Sequence, residues 1–237
     1  MDMKRDYYED VRLISSPVVG FWFAALLVFL YLFPSLVDNY YIYVANYIAI
    51  NIIVVTGLNL LVGYTGQISL GHAGFFAIGA YGTVILMAKA GFPFLLALPC
   101  SALVAAGFGF LLGLPALRLE GPYLSIATLG YGLTITQIIG RIELYGGREG
   151  IHAPDIVIGP WIIDTDKEFY FLLITLTILL LLFMRNLIKT RVGRAFIAIR
   201  DADIAAQTMG VNIVYYKTLA FAVSAFYCWI REQPSIY

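Results

Sequence analysis

Asn59, Tyr64, Thr65, Gln67, Ser69 and His72 all fall inside one apolar run, Thr56–Tyr81 (TGLNLLVGYTGQISLGHAGFFAIGAY). Amide, hydroxyl and imidazole groups at bilayer depth are costly unless bonded to protein or water, so they usually turn toward a bundle interior. The chemistry open to them is recognition: a zwitterion crossing a membrane needs such partners for its ammonium and carboxylate. The same residues could instead bond only within the protein and hold the fold. His72 has no second metal ligand at helical spacing, which makes packing its simpler role. Glycines at 57, 63, 66, 71, 74 and 79 interrupt the run. They suit backbone packed closely inside a membrane protein, including a helix that is broken or re-entrant.

The elements that must position these groups are membrane helices. Of 237 residues, 61% are hydrophobic and 13% charged, with a mean hydropathy of +0.84. That is too apolar for a soluble domain of this length. Hydropathy places spans near 17–34, 40–62, 68–88, 93–115, 122–140 and 169–184, with a seventh starting near 214. The expected fold is all-α, a polytopic helical bundle of six to seven spans forming a single domain over residues 1–237. The first apolar stretch reads as an uncleaved span, because the N-terminus mixes both charge signs and no small-residue cleavage site follows.

A cytoplasmic N-terminus puts residues 1–16, 63–67, 116–121 and 185–213 inside. Lys4, Arg5, Arg12, Arg118, Arg185, Lys189, Arg191, Arg194 and Arg200 then lie inside, against Lys89, Arg141, Arg148 and Lys167 outside. That is the sorting expected of cytoplasmic and external loops. Tyrosines at 40, 41, 43, 215 and 216 sit where interfacial rings belong.

Small residues recur every fourth position at Ala105, Gly109 and Gly113, and again at Thr128, Gly132, Thr136 and Gly140. Such stripes let a neighbouring backbone approach closely, and Thr128 and Thr136 could hydrogen-bond across the contact. Lining a passage is the alternative use. Thr128 therefore stands with Asn59, Gln67, Ser69 and His72 as a candidate for the solute path.

The loop Arg185–Asn212 carries too many charges to span. Ile199, Ala202, Ala206 and Met209 recur at roughly helical spacing, which predicts an amphipathic helix with a shallow apolar stripe. It could lie on the membrane surface among lipid headgroups, or dock a partner. Paired alanines at 205 and 206 offer a flat surface, and Gly210 can end the helix.

These segments together resemble the M-type permease subunit of branched-chain amino-acid ABC transporters. Gly57–Tyr81 is similar to that family's first signature, and Leu119–Gly132 (LEGPYLSIATLGYG) to its second. Gly146–Ile151 (GGREGI) resembles its external glycine-rich turn, with Arg148 and Glu149 where a small polar residue and an acid are usual. Ile204–Gly210 (IAAQTMG) looks like the ABC-permease coupling motif; its usual glutamate falls at Ile204, and Asp203 could supply the acid. The resemblance implies a second permease, two cytoplasmic ATPase subunits and an external solute-binding protein as partners. It would make Arg200, Asp203, Ala205, Ala206 and Gly210 the coupling contacts within 185–212. No cofactor is expected on this chain, ATP being spent by partners. The external loop 141–168 could dock the binding protein or serve as a solvated connector. A urea or amide permease, or an ATP-independent channel, is the alternative.

Other classes lack their reagents. No G-x-x-x-x-G-K-[ST], H-E-x-x-H or G-x-S-x-G pattern occurs, so neither ATP hydrolysis nor the common hydrolytic chemistries are expected. A formal net charge of zero argues against nucleic acid. Cys100 and Cys228 form no metal-ligand pattern and imply no disulfide. Through Ala225 the chain follows the family's pattern, then turns to YCWIREQPSIY where an alanine- and glycine-rich span is usual. A truncated or frame-shifted product is the expectation from that departure.

Overall fold

The computed structural model describes residues 17–116, 119, 121–141, 156–158, 161–163 and 165–228. The N-terminal charges, Arg118, the Gly146–Ile151 turn, His152 and the final residues from 229 lie outside the described residues.

Apolar composition in long runs yields helices, since only internal hydrogen bonding satisfies a backbone placed in hydrocarbon. In chain order these are α1 (Pro17–Leu36), α2 (Asn39–Asn59), α3 (His72–Ala88), α4 (Phe94–Ala116), α5 (Pro122–Ile139), α6 (Asp166–Lys189), α7 (Arg191–Asp201), α8 (Asp203–Thr208) and α9 (Ile213–Phe226). Between α5 and α6, β1 (Ile156–Ile158) pairs antiparallel with β2 (Trp161–Ile163), Ile156 opposite Ile163. The fold is the helical polytopic bundle expected of the sequence. Among the described residues, four helices are long and apolar enough to cross a membrane: Val18–Leu36, Asn39–Tyr64, Phe94–Pro115 and Asp166–Lys189. Among the rest, α3 and α9 are shorter and apolar, and α5 has 18 residues.

Two elements differ from the sequence expectation. The second span runs on into a five-residue π-helical turn, Leu60–Tyr64, and helix then stops until His72. At 17 residues, α3 reaches only about 25 Å, shorter than the roughly 30 Å of a hydrocarbon core. The predicted amphipathic helix is also not continuous. Ala202 is extended (φ −162°, ψ 94°) and divides it into α7 and α8. Its stripe divides with it: Ile199 and Ala206 are buried, whereas Ala202 and Met209 are exposed. The break lets Asp203 begin a new helix, its carboxylate accepting from the Ile204 N–H at 2.8 Å.

Helix contacts follow the order α1–α6–α2–α9–α4–α3–α5, which is not chain order. Ile42 and Ile53 of α2 and Leu60 and Leu61 of the π-helical turn that follows it are buried with Tyr170 and Leu173 of α6 and Phe221 of α9 in one core. The Tyr170 hydroxyl of α6 donates to the Leu30 carbonyl of α1 at 3.0 Å. The Ala105–Gly109–Gly113 stripe is the seam between α4 and α9. A Cβ on Gly109 would stand 2.6 Å from the Ala225 Cβ and 2.7 Å from the Phe221 carbonyl oxygen. A Cβ on Gly113 would stand 2.9 Å from the Thr218 Cα.

Gly109→Ala should therefore force α4 off α9 and cost about 1–3 kcal/mol, read as earlier thermal unfolding in detergent. Gly107→Ala, with nothing within 4 Å of the added methyl, should unfold like the parent.

Candidate functional site

The break after α2 is where the polar residues of the sequence collect. Gly66 takes a positive φ of 69° to leave the helix, a conformation glycine adopts without a Cβ penalty. Beyond it the backbone has no ladder of its own, and its polar groups find partners elsewhere. The Gln67 N–H donates to the Leu61 carbonyl at 3.0 Å. The Leu70 N–H donates to the Thr128 hydroxyl at 3.0 Å, and Thr128 in turn donates to the Ser125 carbonyl at 2.9 Å. Ser125 donates to the Ile68 carbonyl at 3.3 Å. Gly71 and Gly74 let α5 approach: a Cβ on Gly74 would meet the Gly132 Cα at 2.9 Å. Thr65 and Gln67 close the near end, Gln67 Nε2 donating to the Thr65 hydroxyl at 3.2 Å.

His72 ties the far end to two more helices. The single Ser224 hydroxyl proton goes to the Gly57 carbonyl of α2 at 2.7 Å. Ser224 must then accept from His72 Nε2–H, 2.5 Å away. That puts a proton on Nε2, and in the neutral imidazole Nδ1 then accepts from the Ser69 hydroxyl at 3.2 Å. One imidazole thus joins α2, α3 and α9 across the bundle centre. Among the described residues no group of three or more His, Cys, Asp or Glu could hold a metal ion.

On its other side the break meets α7. Arg200 Nη1 donates to the Gly63 carbonyl at 3.0 Å, while Nε and Nη2 reach Asp201 Oδ1 at 3.0 and 2.9 Å. A cation at a helix C-terminus answers both its unpaired carbonyls and its dipole. A cavity of about 290 Å³ opens beside this junction, lined by Thr65–Gln67, Leu119, Gly121, Leu124, Ile199–Asp203 and Lys217. Segments 63–67, 116–121 and 185–213, which charge sorting puts on one side, therefore meet in space. Asp203 Oδ2 lies 3.7 Å from Lys217 Nζ, fastening α8 to α9.

The structure sorts the sequence candidates. Gln67, Ser69, His72 and Thr128 are all buried around the break; Ser69 bonds His72, while Gln67 bonds Thr65 and Thr128 bonds the Leu70 N–H. Asn59 does not join them; it is exposed. Thr136 makes no bond across a contact, its hydroxyl serving carbonyls of its own helix at Gly132 and Leu133. In the α7–α8 segment Ala205 and Gly210 are exposed, Arg200 and Asp203 are engaged internally, and Ala206 is buried at 5% exposure. Gly210 ends α8 in a left-handed cap (φ 85°), with Val211 N–H to Ala206 and Gly210 N–H to Gln207 carbonyls, both 3.0 Å. Three contributors lay outside the sequence candidates: Ser125, Ser224 and Lys217. Their only sequence signal is a polar group in an apolar helix, which names no partner.

The family model described as branched-chain amino acid transport system / permease component matches residues 40–230. The high-affinity branched-chain amino acid transport system permease proteins LivM of Salmonella typhimurium (strain LT2) and Escherichia coli (strain K12) are each 35% identical to it over 228 aligned positions. Each alignment covers 85% of this chain and 53% of the relative, so the chain spans about half the length of these relatives. No solved structure gives a significant match.

Thr128→Val keeps the shape but leaves the part-buried Leu70 N–H without this acceptor, and should cost about 1 kcal/mol in thermal unfolding. Thr128→Ser should retain most of that stability. Thr136→Val, removing only bonds within a helix already paired, should change little.

Proposed function

Because the chain belongs to the permease family of branched-chain amino-acid transport systems, we propose that it forms part of the membrane pathway of an ATP-driven importer for branched-chain amino acids. It sits as a multi-pass protein in a bacterial-type inner membrane, N-terminus cytoplasmic. A second permease completes the conduit, two cytoplasmic ATPase subunits drive it and an external binding protein delivers the solute. ATP is bound and spent by those partners.

The observation that carries this reading is the junction of Arg200 with Gly63. Importers of this kind need a part that an external engine can push and a part of the pathway that moves in response. Here α8 presents Ile204 (77% exposed), Ala205 and Met209 (84% exposed) outward. These apolar groups on a charged segment fit a partner groove better than water. Behind them α7 grips the carbonyl end of the broken span through Arg200. Closure of the ATPase pair against α8 would move α7 and, through that hydrogen bond, the Gly66–Gly71 break. The cavity beside the junction leaves room for such movement. Asp203 and Gly210 serve α8 by holding its two ends.

The test is uptake of radiolabelled leucine into vesicles holding the partner subunits, with urea as competitor. ATP-dependent leucine uptake that urea does not suppress is expected. Suppression by urea would assign an amide permease instead, and uptake without ATP a channel. Arg200→Gln should lower uptake about tenfold, the scale of one charge-assisted hydrogen bond, while ATP hydrolysis persists. Hydrolysis falling in proportion would place Arg200 outside the coupling route.

A further inference from the structure

The buried cluster around the break has little left to offer a solute, since Gln67, Ser69, His72 and Thr128 are already bonded within the protein. The open polar groups lie on α2. Asn51 and Asn59 are both exposed there, about 12 Å apart along the axis. Asn51 stands near the middle of the 26-residue helix Asn39–Tyr64. Its Nδ2 donates to the Tyr47 carbonyl at 2.8 Å, and among the described residues its Oδ1 and second N–H have no partner. The Tyr47 ring beside it is 52% exposed.

Two clefts meet along this face. One of about 240 Å³ lies between α2 and α3, with Tyr47, Asn51, Val54, His72 and Phe76 in its walls. The other is a shallow, wide-open surface hollow of about 750 Å³ along the helical run Asn39–Tyr64 alone, past Ile48, Ile52, Val55, Leu58, Asn59 and Val62. Tyr47 and Asn51 belong to both. Two other exposed faces are apolar: α4 exposes Leu103, Val104, Phe108 and Leu111, and α1 exposes Phe21, Phe29 and Leu32. Hydrocarbon leaves an exposed amide unbonded, so a span that keeps two of them on one open face is turned toward water or a polar solute.

We propose that this face of α2 is the solute-binding wall of the pathway, and that its occupant is an α-amino acid with an aliphatic side chain. The proposal rests on the transport reading above. Asn51 Oδ1 accepts from the ammonium, while its free N–H and the Tyr47 phenol donate to the carboxylate. Ile48, Ile52 and Val55 receive the branched side chain. Asn59, nearer the break, is a second polar station on the way through.

Cysteine accessibility in the assembled transporter tests this, with single replacements in a Cys100→Ser chain. A membrane-impermeant thiosulfonate should modify Asn51→Cys, and saturating leucine should slow that modification. Leu103→Cys on α4 should stay unmodified. Asn51→Ala should raise the KM for leucine about tenfold with ATP hydrolysis retained, as expected for lost substrate binding. Three results overturn the assignment: Asn51→Cys reacting no faster than Leu103→Cys, reacting without protection by leucine, or cross-linking directly to the second permease. Leucine uptake by the unsubstituted assembly is measured alongside. Its absence defeats the transport reading, whereas uptake with an unprotected Asn51→Cys defeats this wall alone.

Discussion

Gly66–Gly71 is six residues of non-helical backbone set between two apolar helices, so its N–H and C=O groups have no helical ladder of their own. Several of them are met from outside the stretch: the Gln67 and Leu70 N–H groups and the Ile68 carbonyl each have a protein partner. Thr128 and Ser125 of α5 receive one flank. Ser224 of α9 and the α2 carbonyl at Gly57 hold His72 at the other. Arg200 covers the helix end that the break leaves open. The chain's scrambled packing order follows from the same need, since α9 and α5 must both reach a segment far from them in sequence.

Satisfying the break consumes most of the interior polarity, and this divides labour among residues of similar type. An asparagine or histidine in a span is costly anywhere; what it does depends on whether its bonds are spent. His72 has both ring nitrogens engaged and acts as a joint. Asn51 has one amide hydrogen engaged and, among the described residues, the rest open on an exposed face. Mechanical transmission and solute contact can thus share α2, one through its carbonyl end and the other along its flank.

The α7–α8 segment shows how a local choice by the chain becomes a global connection. Alanine favours helix, so Ala202 alone gives no reason to stop one. The helix breaks there because Arg200 turns to Gly63 on one side while Asp203 is drawn toward Lys217 on the other. The break exposes Ala205 and tucks Ala206 inward, so the paired alanines do not act as a pair. Gly210 needs no partner subunit to explain it, because the left-handed cap already demands glycine.

Hydropathy runs, the asymmetry of Lys and Arg, and the fourth-position small residues of α4 were legible because each depends on composition along one helix. From them follow the helical class, the spans to within a few residues and the same-side grouping of the loops. The interruption near residue 68 was also foreshadowed by its glycines. The direction each polar side chain takes was not legible. Asn51, Asn59, Thr128 and Thr136 are all polar residues in apolar helices, yet one buries, two face outward and one bonds its own helix. That outcome belongs to tertiary structure, since the rotation of a helix about its axis is set by which neighbours it packs against, and no single helix encodes its neighbours.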